Sequence, residues 1–334
     1  MNFEIRPLIE SEFPLWDELV AVSPEGTIFH NSFWLQATGQ RFLIYGYFKG
    51  GDLFAGIPIM YRSWSGIRRV NQPLLTPYQG VIFKKRETKY VNRISEDKEI
   101  NLELAKRLKK DFTAGLIQFT TEVKDLQPFI WEGFTPCIRY TYINDLNGSL
   151  NDVWQTMNAK RRNDIRKAEA DGITANRCDD FDKVYSIVAK TFARQDKTAT
   201  FKSAAFRYNE ALKERGQCTA FLSQNENGEP MAVVYIVWDN KRSYYLLGGY
   251  DPERSHHGAS SLAMWAAIKF TKEELGLPEF DFEGSMVPQL EQFFRKFGGI
   301  LTPYYTITWP NPYLKLIPPF ARTAIGKVLA RLIK

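Results

Sequence analysis

The sequence predicts an α+β protein built from two similar units, and three observations carry that prediction. Runs with the period-2 alternation of half-buried strands are interspersed along the chain with runs of helical period. The 334 residues are about twice the usual length of one domain. A turn-and-strand pattern also occurs twice, Gly51-Asp52-Leu53-Phe54-Ala55 being answered by Gly228-Glu229-Pro230-Met231-Ala232, which suggests an internal duplication.

The elements follow in order. Phe3 to Arg6 alternates as a strand that Pro7 ends, and Ser11-x-x-Pro14 opens a helix with Phe13, Trp16, Leu19 and Val20 on one side. Residues 41–47 and 53–61 are β-rich runs joined by Lys49-Gly50-Gly51-Asp52, a hairpin signal. Strands near Val70 and Val81, a helix over 95–110 and a short strand at 115–119 complete the first half. In the second half, the capping box Ser149-x-x-Asp152 starts a helix able to run to Gly172. Helices over 180–194 and 202–215 precede strands at 218–223, 231–238 and 243–250. A helix over 259–275 and a strand over 279–283 follow. The join between units is expected between residues 140 and 150, giving units 1–145 and 146–308 and a tail 309–334.

Composition narrows the chemistry. The 44 Lys and Arg against 38 Asp and Glu leave a net charge of +6, too diffuse for a dedicated nucleic-acid binder. Cys137, Cys178 and Cys218 form no C-x-x-C pair, and His30, His256 and His257 are the only histidines. A disulfide framework and a metal site are therefore not expected. The longest apolar run, Met231–Trp238, is too short to span a bilayer, and the opening residues lack the apolar core of a signal peptide. The expected setting is cytoplasmic.

Four constellations remain. On the helix from Lys160 to Lys167, Arg162 and Arg166 stand one turn apart, a face that suits phosphates or carboxylates or is simply solvated. Tyr250 to Ser260 runs from a strand end through a polar loop to a helix start, where free N–H groups favour an anion. In Phe280-Asp281-Phe282-Glu283, alternation puts both carboxylates on one face, so either is a candidate general base if buried, or both face water. Finally, Arg295 and Lys296 lie among aromatics before Gly298, placed to stabilise an oxyanion or to cap a helix.

In this order and spacing, the pieces resemble the FemABX-like branch of the GNAT superfamily. The resemblance rests on Met157-x-x-Lys-Arg-Arg-Asn-x-Ile-Arg-Lys-Ala168, Tyr245-Leu-Leu-Gly-Gly-Tyr250, Phe280-Asp-Phe-Glu-Gly284 and Phe294-Arg-Lys-Phe-Gly298. In the first half it rests more loosely on Thr27-Ile-Phe-His30 and Pro77-Tyr78-x-Gly80. It implies two tandem GNAT-like domains facing a cleft and N-acyl transfer to an amine of a cell-envelope, sugar or peptide precursor. The donor would be acyl-CoA or aminoacyl-tRNA, with no tightly bound cofactor.

By the same resemblance, Glu283, Asp281 and Arg295 would be catalytic. Lys160, Arg162, Arg166, Tyr78, Tyr250 and Lys296 would bind substrate, and Ser255, Gly258 and Ser260 would hold the cofactor-like part of the donor. That last turn keeps the central glycine of the GNAT phosphate turn but not its leading Arg or Gln. A second departure is Phe294, which stands where the branch carries lysine. Two alternatives are an acetyl-CoA-dependent acetyltransferase and a non-catalytic cleft that binds a nucleotide-sugar or polysaccharide. The tail from Phe320 to Lys334 reads as a basic amphipathic helix, packed on the protein or lying on an anionic membrane.

Overall fold

The computed structural model describes residues 3–193, 201–254, 256–284 and 286–309. The first unit runs β1 (Phe3–Pro7), α1 (Phe13–Val22), α2 (Ser32–Ala37), β2 (Arg41–Lys49), β3 (Asp52–Trp64), β4 (Ile67–Val70), β5 (Ile82–Phe83), α3 (Tyr90–Asp111), β6 (Gly115–Gln118), α4 (Gln127–Trp131) and β7 (Thr135–Asp145). Two connecting helices follow, α5 (Leu150–Thr156) and α6 (Ala159–Ala170). The second unit runs β8 (Thr174–Cys178), α7 (Phe181–Ala193), α8 (Lys202–Lys213), β9 (Cys218–Gln224), β10 (Pro230–Trp238), β11 (Arg242–Tyr250), α9 (Ala259–Glu273), β12 (Glu279–Asp281), α10 (Pro288–Arg295) and β13 (Ile300–Trp309). Apart from β5, the two units repeat one element order.

The repeat extends to pairing. The antiparallel order β1-β2-β3-β4 is matched by β8-β9-β10-β11. The parallel contact of β11 with β12 has its counterpart in the parallel bridge Arg69↔Ala114 beside β6. The units then exchange their last strands: β7 pairs with β12, and β13 pairs with β6, so one sheet of order β6-β13-β7-β12-β11-β10-β9-β8 crosses both. The expected join near residues 140–150 falls at the end of β7.

Alternation decides what each face buries. On β10, Ala232, Val234 and Ile236 pack under α9 and α6, while Val233, Tyr235 and Val237 pack with α7 and α8. The first sheet likewise buries Ile57 and Ile59 against α3, and Ile44 and Met60 against Trp16 of α1.

Three expectations change. The helix expected from Ser149 to Gly172 is two helices, because Met157 has extended ψ and Asn158 caps a new start by accepting from the Lys160 N–H at 2.9 Å. The strand expected over 279–283 stops at Asp281, because Glu283 is left-handed with φ 55°. The helix expected from 95 begins at Tyr90. The expected tail helix lies outside the described residues.

Candidate active site between two diverging strands

The parallel ladder between β11 and β12 is three residues long, Arg242–Tyr244 against Glu279–Asp281. β11 continues to Tyr250, still paired with β10 on its other side. From Tyr245 onward its second edge has no strand partner among the described residues. An extra residue, Leu246, bulges β11 at this point, since Ile236 pairs with Tyr245 and Tyr235 with Leu247; such bulges re-aim a strand. On the opposite bank, the Phe282 N–H donates to the Tyr142 carbonyl at 3.0 Å, so the chain follows β7 away from β11. Gly284 has φ 68°, and a Cβ there would stand 2.2 Å from the Tyr140 carbonyl oxygen, so only glycine permits the path.

Two carboxylates flank this divergence and differ in company. Asp281 is fully buried and accepts from Thr141 Oγ1 at 2.6 Å, Tyr78 Oη at 3.0 Å and the Glu283 N–H at 2.8 Å. Arg242 stands 4.0 Å from it and pairs with Glu279 at 2.8 Å and Glu122 at 3.4 Å. Burial pushes the Asp281 carboxyl up, and Arg242 with the three donors opposes that. Glu283 is partly exposed, and its Oε1 is buried with no hydrogen-bond partner among the described residues. Burial pushes its carboxyl well above the usual carboxylate range, and neighbouring Asp281 pushes it further. A non-glycine residue at φ 55° carries strain of roughly 1–3 kcal/mol, which recurs at functional sites.

The surroundings hold this arrangement from both units. Tyr78 reaches Asp281 from a loop fastened by His30, whose Nδ1 accepts from the Thr27 N–H at 3.3 Å, leaving Nε2–H to donate to the Gly80 carbonyl at 3.2 Å. Burial drives the His30 pKa down to about 3, so the ring is neutral. Tyr245 packs against Phe294, with ring centroids 5.6 Å apart. Phe294, where the sequence departs from its resemblance, is buried against Phe282 and Tyr245 and fills an aromatic core.

The expected site residues have several destinations. Asp281, Glu283 and Tyr78 meet at the divergence. Tyr250 ends β11 and is tied to α7, its N–H donating to Thr191 Oγ1 at 2.8 Å. Of the turn, Ser255 lies outside the described residues and Ser260 is partly exposed in the first turn of α9. Gly258 is required by packing, since a Cβ there would stand 2.1 Å from the Asp164 carbonyl oxygen. The loop before it is pinned by buried Asp251, which holds Lys190 at 2.6 Å and Arg254 at 3.1 Å, and by His256 on Asp171 at 3.1 Å.

The basic residues of α6 do not converge. Lys160 is exposed, and Arg162 caps α5 by donating to the carbonyls of Gln155 at 3.0 Å and Met157 at 2.9 Å. Arg166 lies over Trp154 at 5.4 Å, beside a shallow groove lined also by Trp265 and Glu169. The buried cation is Arg161, which the sequence reading passed over: it bonds Ser261 and sits over Phe293 and Phe297 at 4.3 and 4.7 Å. Arg295 is exposed in the last turn of α10 and pairs with Glu291 at 3.5 Å, while the Lys296 carbonyl accepts from the Asn158 N–H at 3.0 Å. Both residues thus stand at the C-terminal end of α10. Arg242, Thr141 and Tyr245 were also missed, and a lone arginine after a hairpin turn gives no signal of a buried role. Among the described residues no cluster of His, Cys, Asp and Glu is arranged to hold a metal.

Residues 157–293 match the family model described as an acetyltransferase (GNAT) domain. This segment is a GNAT-type domain. The whole chain is similar to FemX, with a TM-score of 0.70 at 16% identity over 90% of this chain and 96% of that one. It is also similar to a tandem GNAT protein from the clavulanic acid biosynthesis pathway, with a TM-score of 0.54 at 12% identity over 92% and 98%. A third similar structure is L-PGS from Bacillus licheniformis, with a TM-score of 0.55 at 15% identity over 92% and 93%. No curated protein matches the chain. The fold is therefore the tandem GNAT fold, in agreement with the FemABX-like resemblance of the sequence.

Proposed function

We propose that this protein is an N-acyltransferase of the FemABX-like kind that binds its acyl donor between the diverging β11 and β12. The observation that carries the reading is the Glu283 carboxyl beside that opening, whose Oε1 is buried with no hydrogen-bond partner among the described residues. The free edge of β11 from Tyr245 offers N–H and C=O groups to an extended, amide-containing donor, as an added strand would take them. The loop from Asp251 to Gly258 and the start of α9 stand at the carboxyl end of β11, the usual place for a phosphate-bearing ligand in such a unit.

The chemistry then runs as ordinary acyl transfer. An acceptor amine gives its proton to ionised Glu283 and its lone pair to the donor carbonyl carbon. The tetrahedral oxyanion is held by backbone N–H groups of β11, and it collapses by expelling the thiolate or alkoxide of the donor. A base raised above the ordinary carboxylate value suits this task better than one at it. Asp281, already held by three donors, is read as positioning Glu283 through its N–H. The acceptor is read as an amine of a cell-envelope precursor, and the donor as acyl-CoA or aminoacyl-tRNA.

Parallel thermal-shift measurements with acetyl-CoA, a UDP-linked muropeptide and charged tRNA test the reading, since a ligand at 100 times its dissociation constant stabilises by roughly 2.7 kcal/mol. Stabilisation by acetyl-CoA alone removes the aminoacyl-tRNA donor, and no response to either donor removes the donor gap. The buried Phe294, in place of the branch lysine, favours a second reading, a cleft that binds without turnover. Glu283→Gln separates the two: an enzyme loses roughly 10²–10⁴-fold in turnover with ligand binding retained, whereas a binding cleft has no turnover to lose.

A further inference from the structure

The two units differ at one pair of equivalent hairpin turns. In the second unit, the turn between β10 and β11 is sealed against the first unit. Asp239 accepts from the Ile28 N–H at 3.0 Å, Asn240 donates to the Ala21 carbonyl at 3.1 Å, and Lys241 donates to the Ser23 carbonyl at 2.8 Å. In the first unit, the turn between β3 and β4 meets nothing of the kind among the described residues. Its apex residues Trp64 and Ile67 are 68% and 44% exposed.

The local geometry of this free turn is specific. Ser65 and Gly66 both have positive φ, 47° and 79°, the signature of a tight two-residue turn. Trp64 therefore faces Ile67 directly across the hairpin, and one step back Arg62 faces Arg69. Residues two apart on a strand share a face, so all four side chains emerge on one side, the apolar pair outermost. Like charges directly opposite one another are unfavourable. Both arginines are exposed, and neither side chain has a carboxylate partner among the described residues. An aromatic apex roughly 7 Å ahead of two cations matches the layering of a bilayer surface, where Trp sits at the interface and Arg at the phosphates.

Orientation supplies a second argument. β12 runs toward the Thr135 end of β7, and Thr135 lies beside Thr308 of β13, next to Trp309 against Gly115. β4 runs parallel to the chain at Ala114, so its apex extends past that same end. The free hairpin thus projects from the edge of the strands toward which β11 and β12 open.

We propose that the β3–β4 hairpin is a docking wedge for an anionic lipid bilayer, with Trp64 and Ile67 entering the interface and Arg62 and Arg69 contacting lipid phosphates. The proposal stands apart from the transfer chemistry and from the 320–334 segment. Its test is co-sedimentation of the full chain with vesicles of equal phosphatidylglycerol and phosphatidylcholine, and with phosphatidylcholine alone. Wild type is expected to prefer the anionic vesicles. Arg62→Gln with Arg69→Gln should bind them roughly 30-fold more weakly, taking each basic residue at its usual worth near a charged surface. Trp64→Ala should also weaken binding, Trp64→Phe should restore it, and Trp131→Ala, at another exposed tryptophan, should change nothing. Unaltered thermal midpoints identify folded variants. Equal binding to both vesicle types, or full binding by the hairpin variants, overturns the proposal. Loss of tRNA binding by these variants with vesicle binding intact assigns the hairpin to nucleic acid and overturns it equally.

Discussion

The two ends of the β11–β12 pair use the same kind of residue to opposite effect. At the closed end Asp281 is buried with three hydrogen-bond donors, and Arg242 is shared among Asp281, Glu279 and Glu122. At the open end Glu283 Oε1 is buried and unmatched among the described residues. A carboxylate in a complete shell is a fastener, whereas one in an incomplete shell retains a proton affinity available for chemistry. Asp281 closes the three-residue ladder and Glu283 lies two residues beyond it, so the two are adjacent yet distinct.

The contrast is broken most severely at the closed end. Arg242→Met strands the buried Asp281 carboxylate and should cost about 3–5 kcal/mol in denaturant unfolding. Asp281→Asn should cost about 1–3 kcal/mol, since one of its donors must then face an amide N–H. Glu283→Gln should move stability the other way. The folded pKa of Glu283 lies above its unfolded value, so its contribution is fully present below the unfolded pKa and is lost as pH rises through the folded one. The variant should therefore match wild type near pH 4 and exceed it at pH 8, as measured by thermal midpoints. Arg162→Gln removes the bonds to the α5 carbonyls and should cost up to about 1 kcal/mol. Arg295→Ala, on an exposed pair, should lie within about 0.5 kcal/mol of wild type.

Much of the fold was legible because it is written in local periodicity. The hairpins at Gly51 and Gly228, the caps at Ser149 and Gly172 and the parallel unit of β11, α9 and β12 all have signals within a few residues. The strand exchange does not, because β7 and β13 are recognised only by pairing partners more than a hundred residues distant. At the site, alternation puts Asp281 and Glu283 on one face and the phenylalanines on the other, whereas Phe280, Asp281 and Phe282 are all buried and the strand ends at Asp281. It could not supply the left-handed turn at Glu283, beyond which Oε1 is buried with no partner among the described residues. Arg162 and Arg166, one turn apart, have separate contacts: the break at Asn158 puts the α5 carbonyls within reach of Arg162, Arg166 lies over Trp154, and the inward position belongs to Arg161. Arg295 and Lys296 had balanced readings, and their contacts are those of a helix end.

The exchange of β7 and β13 also sets a timetable for synthesis. β6 and β7 are flanking strands with a vacant slot between them until β13, the last described strand, is made. At about 5–20 residues per second, the ribosome needs on the order of ten seconds to travel from β7 to β13. Through that interval a nascent chain bears two unmatched strand borders, a template for joining another molecule. Release before Ile300 would leave those borders permanently vacant, so shortened translation products should be recovered as aggregates rather than as a folded first unit.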